Sequence, residues 1–280
     1  MVEFTLLSAG HCTHRERAII RDGRRSEVAI PALVGLIEHP TAGPILFDTG
    51  YSRQFHTETA RFPGSLYARV TPVHLEDTDE IAHQLAARGI AREAIKMIVV
   101  SHFHADHVGA ARDFPGARFV CARSAYETLR PRKGLHALRS GFLPGLLPAD
   151  FADRTTFIED LPEIRLPQEL APFTRGRDLL GDGTIVLIEL PGHALGHHGA
   201  FVASDPPVFL IGDACWLSRS FREHVPPGLL AHLIFSDARR FRETLASLHD
   251  LHRAWPDLAI IPSHCQEAYA RWTGATAGRR

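Results

Sequence analysis

The chain has 280 residues, with 31 lysines and arginines against 32 aspartates and glutamates, giving a formal net charge of −1. A chain this long buries enough apolar surface to fold without disulfide staples, and its near-neutral balance offers no general attraction to nucleic acid or anionic lipid. Hydrophobic residues at 45% and charged residues at 22% exclude a disordered chain or a fibrous repeat.

Cysteine usage and the first residues bear on the compartment. Cys12, Cys121, Cys215 and Cys265 lie far apart with no CxxC pair, so neither a zinc ribbon nor a disulfide framework is expected. Cys215 and Cys265 read as small buried hydrophobes. Glu3 stands where a signal peptide needs cations, and no apolar run is long enough to cross a membrane. These features predict a cytoplasmic protein with neither membrane nor nucleic-acid partner. No internal repeat or Ser/Gly linker is present, so residues 1–280 are expected to form a single domain.

Short apolar runs closed by turn residues alternate with helical patterns. Residues 45–47 run into Asp48-Thr49-Gly50. Asp77 and Glu80 have the spacing of a capping box; Ile81 and Leu85 share the face of the helix that follows, and Gly89 would stop it. Residues 97–100 run into Ser101-His102. The proline-rich stretch at about 130–177 reads as an irregular insertion of short helices and loops; within it, residues 142–147 (FLPGLL) suit core or an apolar wall over a cleft equally. Residues 185–188, with Leu190 after them, end in Pro191-Gly192-His193, and residues 208–211 end in Gly212-Asp213. A second helix begins near Ser236-Asp237, carries Phe241, Leu245, Leu248 and His252 at helical spacing, and ends before Pro256. Residues 258–261 end in Pro262-Ser263-His264. The apolar runs are buried strands, and the pattern is α/β, with sheets covered by helices on their outer faces.

Histidine is the commonest metal ligand among side chains, and 18 histidines are present. Their spacing carries the case. His102-Phe103-His104-Ala105-Asp106-His107 is an HxHxDH string placed directly after a strand, and a loop anchored at a strand end holds ligands rigidly. His193, Asp213 and His264 also stand just beyond strand ends, where α/β sheets gather their active sites. Imidazole and carboxylate suit zinc, iron or manganese. Five histidines and two aspartates suffice for two ions that share a carboxylate and leave a place for water.

The strings LFDTG at 46–50, SHFHADHVG at 101–109, GH at 192–193, GD at 212–213 and PSH at 262–264 resemble the metallo-β-lactamase superfamily, in its order. The resemblance implies an αβ/βα sandwich of two mixed sheets with outer helices and metals in a cleft at one edge. It implies that His102, His104 and His193 hold one divalent ion, that Asp106, His107 and His264 hold the other, and that Asp213 bridges. Zinc is the expected metal, with iron or manganese as alternatives. The Asp-His pair after HxH and the HALGHHG string at 193–199 are most similar to the quorum-quenching N-acyl homoserine lactonases. Two features depart from that branch: the gap between His107 and His193 is long, and Trp216 stands where those enzymes commonly carry a substrate-contacting tyrosine.

The resemblance implies hydrolysis by a hydroxide held between the ions, with Asp106 passing the proton to the leaving oxygen and Trp216 packing against the substrate. The substrate is expected to be a small molecule with an apolar acyl group, bound under loops at 142–147 and 226–230. A glyoxalase-II-type thioesterase shares the ligand set but appends a thiol-binding domain, for which too few residues follow His264. A mono-iron persulfide dioxygenase uses part of the set. An exported β-lactamase, a nuclease with a basic surface and a non-catalytic module fit less well. Oligomerisation is left open. Asp48 reads as a residue that hydrogen-bonds the metal loop, and His197 and His198 as supports or helix-start residues near the ligands. His11 and His14 are candidates for the cleft mouth. His39, His56, His74, His83, His136, His224, His232, His249 and His252 are assigned to surface or packing.

Overall fold

The structure, a computed structural model, describes residues 1–228, 231 and 234–274. Two long antiparallel strands, β1 (Glu3–Arg15) and β2 (Glu27–His39), open the fold. They are followed by β3 (Gly43–Phe47), β4 (Val73–His74), β5 (Met97–Val99), β6 (Arg118–Cys121) and β7 (Thr155–Phe157). The second half adds β8 (Glu163–Arg165), β9 (Arg175–Asp178), β10 (Ile185–Glu189), β11 (His198–Val202), β12 (Val208–Gly212) and β13 (Ala259–Pro262). The first sheet runs β4-β1-β2-β3-β5-β6-β7 and the second β13-β12-β11-β10-β9-β8. Both are mixed: β3, β5, β6 and β7 are parallel beside the antiparallel β1–β2–β3 pairs, and β12 and β13 are parallel beside antiparallel neighbours.

Side chains alternate across each strand, and both faces of these sheets are covered. Ile37, Ile45, Phe47, Val99 and Val120 of the first sheet pack against Leu187, Ala200, Leu210 and Ile261 of the second. On the opposite face of the first sheet, Leu36, Leu46, Ile98 and Phe119 meet Phe55, Ile81, Leu85 and Phe114. On the outer face of the second, Val186, Ile188, Phe209 and Ile260 meet Phe241, Leu245, Leu248 and Leu251 of the helix Ala238–Ala254. The layers are helix, sheet, sheet, helix, the expected sandwich. Strands covered on both faces read as continuous apolar runs, which is why the runs near 45, 97, 185, 208 and 258 fall on β3, β5, β10, β12 and β13.

Three expectations are corrected. The capping box lies one residue earlier, between Glu76 and Asp79, and starts a short 3-10 turn; the α-helix itself is Ile81–Ala86. The stretch 130–177 holds short helices but also β7, β8 and β9, so it completes one sheet and begins the other. Residues 142–147 are core: Phe142, Leu143 and Leu146 are buried, and the rings of Phe142 and Phe103 meet edge to face at 6.0 Å. Of the 226–230 stretch, Leu229 and Leu230 lie outside the described residues, as does His232.

The helix Ala238–Ala254 begins where expected. Asp237 caps it by accepting from the backbone N–H groups of Arg239 and Arg240. Its start is tied to the His193 loop, because Ser236 N–H donates to His193 O and Asp237 N–H to Gly192 O, both at 3.0 Å. Gly192 has φ +127°, and a Cβ there would lie 2.1 Å from Phe241 N. Gly192→Ala is expected to destabilise the fold by about 3 kcal/mol through backbone strain and overpacking, measured by urea unfolding. An unchanged midpoint would show that this contact does not hold the helix on the loop.

Candidate metal centre

The HxHxDH string leaves β5 and turns into the short helix Ala105–Val108. His193 follows β10, Asp213 follows β12 and His264 follows β13, so both sheets deliver side chains to one edge. The structure brings all seven together, in two sets whose candidate donor atoms lie within 4.8 Å of one another: His102, His104, His193 and Asp213, then Asp106, His107 and His264. His193 Nε2 is 3.0 Å from His104 Nδ1 and 3.3 Å from Asp213 Oδ2. His264 Nε2 is 3.1 Å from Asp106 Oδ2 and 3.1 Å from Asp213 Oδ1, and His107 Nε2 is 3.3 Å from the same Oδ1. Asp213 thus touches both sets. Four ligands held tetrahedrally at about 2.0–2.1 Å from an ion stand about 3.4 Å apart, so the spacing fits cations between these groups.

Unsatisfied atoms give the same reading. His102 Nε2, His107 Nε2, His193 Nδ1 and Asp213 Oδ1 are buried without a hydrogen-bond partner. Leaving a buried polar atom bare costs about 1–3 kcal/mol, which a cation at the donor atoms facing the centre would offset. The opposite ring nitrogens of His102, His107 and His264 are tied down, while His193, whose Nε2 faces the other donors, leaves its opposite Nδ1 without a partner among the described residues. His107 Nδ1 donates to Asp48 Oδ2 at 2.7 Å, and His264 Nδ1 to Pro31 O at 2.7 Å. His102 Nδ1 is 3.1 Å from Ser101 Oγ, which in turn donates to Asp48 Oδ2 at 2.8 Å. Fixing Nδ1 as the protonated nitrogen turns the Nε2 lone pair towards the centre.

Electrostatics divide the histidines. Burial, reinforced by neighbouring imidazoles, holds His102 well below its ordinary pKa; burial also lowers His193, with Asp213 opposing. Burial acts the same way on His107, but Asp106, Asp48 and Asp213 outweigh it and raise that pKa, and Asp213 and Asp106 do the same for His264. Burial works against the charge on Asp213, yet His264, His107 and His193 pull its pKa well below the carboxylate range. The carboxylates thus favour the protonated form of these two imidazoles in the metal-free protein, and any proton held at the donor nitrogen must leave before the ring can act as a ligand.

Other side chains fix this centre. Asp48, buried and at φ +62°, also accepts from Ser101 N–H at 2.8 Å. Burial drives the His197 pKa down to about 3. Its neutral ring bridges the chain, with Nδ1 donating to Leu190 O and Nε2 accepting from Asp213 N–H, each at 3.0 Å. His198 opens β11 rather than a helix, with Nδ1 2.9 Å from Gly196 O. Ser101 went unrecognised in the sequence; its signal was a lone hydroxyl between the strand and the ligand string.

Trp216 Nε1 donates to Asp213 Oδ2 at 2.9 Å, so the indole steadies this carboxylate. Its ring also lines a cavity of about 360 Å³ that reaches Asp106, His193, Asp213 and His264. The remaining wall includes Ala18, Ile19, Ile30, Tyr67, Val70 and Ile234, with His14 beside them. His11 is not part of this wall: it stacks on His74 at 5.0 Å where β1 meets β4. Residues 142–147 do not contribute, so the apolar wall comes from β1, β2, the helices Glu16–Ile19 and Gly64–Val70, and the chain after Asp213.

The family model of the metallo-beta-lactamase superfamily matches residues 29–261. The chain belongs to that superfamily. It is a metal-dependent hydrolase. It is similar to the N-acyl homoserine lactonase AttM of Agrobacterium fabrum, 28% identical over 258 residues, spanning 91% of this chain and 90% of the relative. The AttM lactonase of Azorhizobium caulinodans is 29% identical, spanning 88% and 91%. A solved N-acyl homoserine lactone hydrolase, with N-hexanoyl-L-homoserine at its catalytic metal centre, shares the fold with a TM-score of 0.69 and 19% identity, over 94% of this chain and 92% of that one.

Removing the negative charge behind His107 should loosen the centre. Asp48→Asn is expected to lower zinc affinity by about 10- to 100-fold, read by competition with a chromogenic chelator. Because the neighbouring carboxylates favour the protonated forms of His107 and His264 in the metal-free protein, zinc uptake is expected to release protons, with affinity rising with pH and falling on acidification. Calorimetry in two buffers of different ionisation enthalpy measures that release; affinity independent of pH would contradict it.

Proposed function

We propose that the protein is a quorum-quenching lactonase that opens N-acyl homoserine lactones by hydrolysing the ring ester. The observation that carries this reading is the junction of the His/Asp cluster with the apolar cavity: a reacting ester at the cluster leaves its acyl chain against Ile19, Ile30 and Val70. Similarity to the AttM lactonases over about nine-tenths of the chain supports the same substrate class.

In this reading His102, His104 and His193 hold one divalent ion, Asp106, His107 and His264 hold a second, and Asp213 serves both, with zinc the expected metal. Ions so held supply Lewis acidity and lower the pKa of water towards 7. The chain's own groups do the rest. Asp106 lines the cavity and is kept ionised despite burial by His107 and His264, so its carboxylate can take a proton and deliver it to the departing ring oxygen. Trp216, with its N–H engaged by Asp213, acts as a positioning residue and as cavity wall. Burial, with Asp106 adding to it, holds the Tyr67 phenol well above its ordinary pKa, so its hydroxyl stays protonated as a donor on the wall. Among the described residues no helix is long and apolar enough to cross a membrane. The four cysteines are free and buried, which suits a reducing compartment, and we place the enzyme in the cytoplasm.

The test is a hydrolysis panel of lactones, thioesters, β-lactams and phosphodiesters, with metal content measured on the same sample. Acyl homoserine lactones should be the fastest class, with KM falling as the acyl chain lengthens. Each added CH₂ buried against the cavity is worth about 0.8 kcal/mol, close to fourfold in affinity. Ile30→Ala should flatten that dependence. Faster turnover of thioesters at equal acyl length, or a single iron with dioxygen consumption on a persulfide, would overturn the lactonase reading.

Trp216→Phe keeps the packing and removes the N–H. It should lower kcat several-fold through a less constrained Asp213, with no new ionisation in the pH profile because indole has no acid or base function. A shifted pH profile would show that the ring does more than position.

A further inference from the structure

A second cavity, of about 280 Å³, borders the cluster. It shares His193 and Ile234 with the apolar cavity and also reaches His104, so the two chambers flank the same imidazoles. Its lining differs in chemistry, for Arg132, Arg139 and Ser140 face it beside Phe103, Leu129 and Leu195.

Two observations make this chamber cationic, and a third ties it to the cluster. Residues 128–149 contain Arg130, Arg132, Lys133 and Arg139 and no aspartate or glutamate, although the whole chain is balanced. Neither Arg132 nor Arg139 forms an ion pair among the described residues, whereas Arg123 pairs with Asp160 and Arg154 with Asp150. Arg132 is braced instead by donating to Ser140 Oγ. The segment is also pressed onto the cluster: Gly141 has φ +64°, and a Cβ there would lie 2.4 Å from His104 Cδ2. Only glycine lets the backbone after the arginines come this close to a candidate ligand.

Two unpaired guanidiniums with a hydroxyl at a chamber wall form a fork that suits a carboxylate, which accepts two parallel N–H bonds. We propose that Arg132 and Arg139 form a carboxylate subsite, and that the enzyme favours lactones carrying an anionic substituent that enters this chamber. The substrate then spans the cluster, with its apolar arm in one chamber and its charged arm in the other. This inference rests on the lactonase reading for the reacting bond, but not for the binding of the charged group.

The probe pair is a five-membered lactone bearing a carboxylate on the ring carbon beside the ring oxygen, and its carboxamide. In the metal-loaded enzyme, kcat/KM for the carboxylate should exceed that for the carboxamide on the order of tenfold at low salt, the scale of a charge-assisted hydrogen-bonded pair. The ratio should shrink as salt rises. Arg132→Gln/Arg139→Gln should bring the ratio to about one. Arg130→Gln/Lys133→Gln removes the same charge outside the chamber and should leave the ratio above that of the first pair. A wild-type ratio near one, or an equal fall in both double variants, overturns the subsite, the latter in favour of a general field that attracts polyanions. Calorimetric affinities of the two lactones give the same ratio without turnover. Neither compound being hydrolysed, with the binding preference intact, would defeat the lactonase reading and leave the subsite standing.

Discussion

The buried carboxylate of Asp48 is the constraint on which the site is assembled. It ends β3 in a left-handed conformation that costs energy for a residue with a Cβ. There it accepts from Ser101 N–H, Ser101 Oγ and His107 Nδ1. One side chain thus fixes where the loop after β5 begins and which way its fourth ligand points. The neighbouring Thr49 continues the tie, with N–H and Oγ1 both donating to His107 O. Ser101 carries the link across the sandwich, because its carbonyl accepts from His198 N–H at the head of β11.

The candidate ligands were legible in the sequence because each sits beside its own strand end, so local spacing encodes its place. His102 to His107 form one string, and His193, Asp213 and His264 each close an apolar run. The sandwich was legible for a related reason: strands packed on both faces show as unbroken apolar stretches. What was not legible needed long-range packing. β1 intersperses threonine, serine and histidine among its apolar residues, and the apolar run of β2 from Val28 to Ile37 is interrupted by Pro31 and Gly35, although Pro31 supplies the carbonyl that orients His264. The three short strands between residues 155 and 178 are too brief and polar to stand out.

The cavity was the least readable part. Its wall is drawn from residues near 14–30, 67–71 and 216–234, which no local pattern joins. The apolar string at 142–147 looked the better candidate, yet it packs against Phe103 behind the ligand string, where its apolar surface is core. Apolar composition with proline and glycine does not by itself distinguish a wall from a floor. Trp216 lines the cavity, and its hydrogen bond to the Asp213 carboxylate depends on a side-chain orientation that sequence does not encode.

The candidate donors come from both halves of the sandwich: His102, His104, Asp106 and His107 from the first sheet, His193, Asp213 and His264 from the second. A cation shared between them would therefore be a cross-link between two layers that also hold together through apolar contact and a few hydrogen bonds, such as those from His198 N–H to Ser101 O and from Leu33 N–H to Ser263 O. Its free concentration enters the folding equilibrium directly, because an ion that binds only the folded chain adds stability in proportion to the logarithm of its concentration over its dissociation constant. Metal supply then enters the stability of the fold as well as the rate of the reaction, and scarcity would first leave folded molecules without activity and only then draw on the folded population.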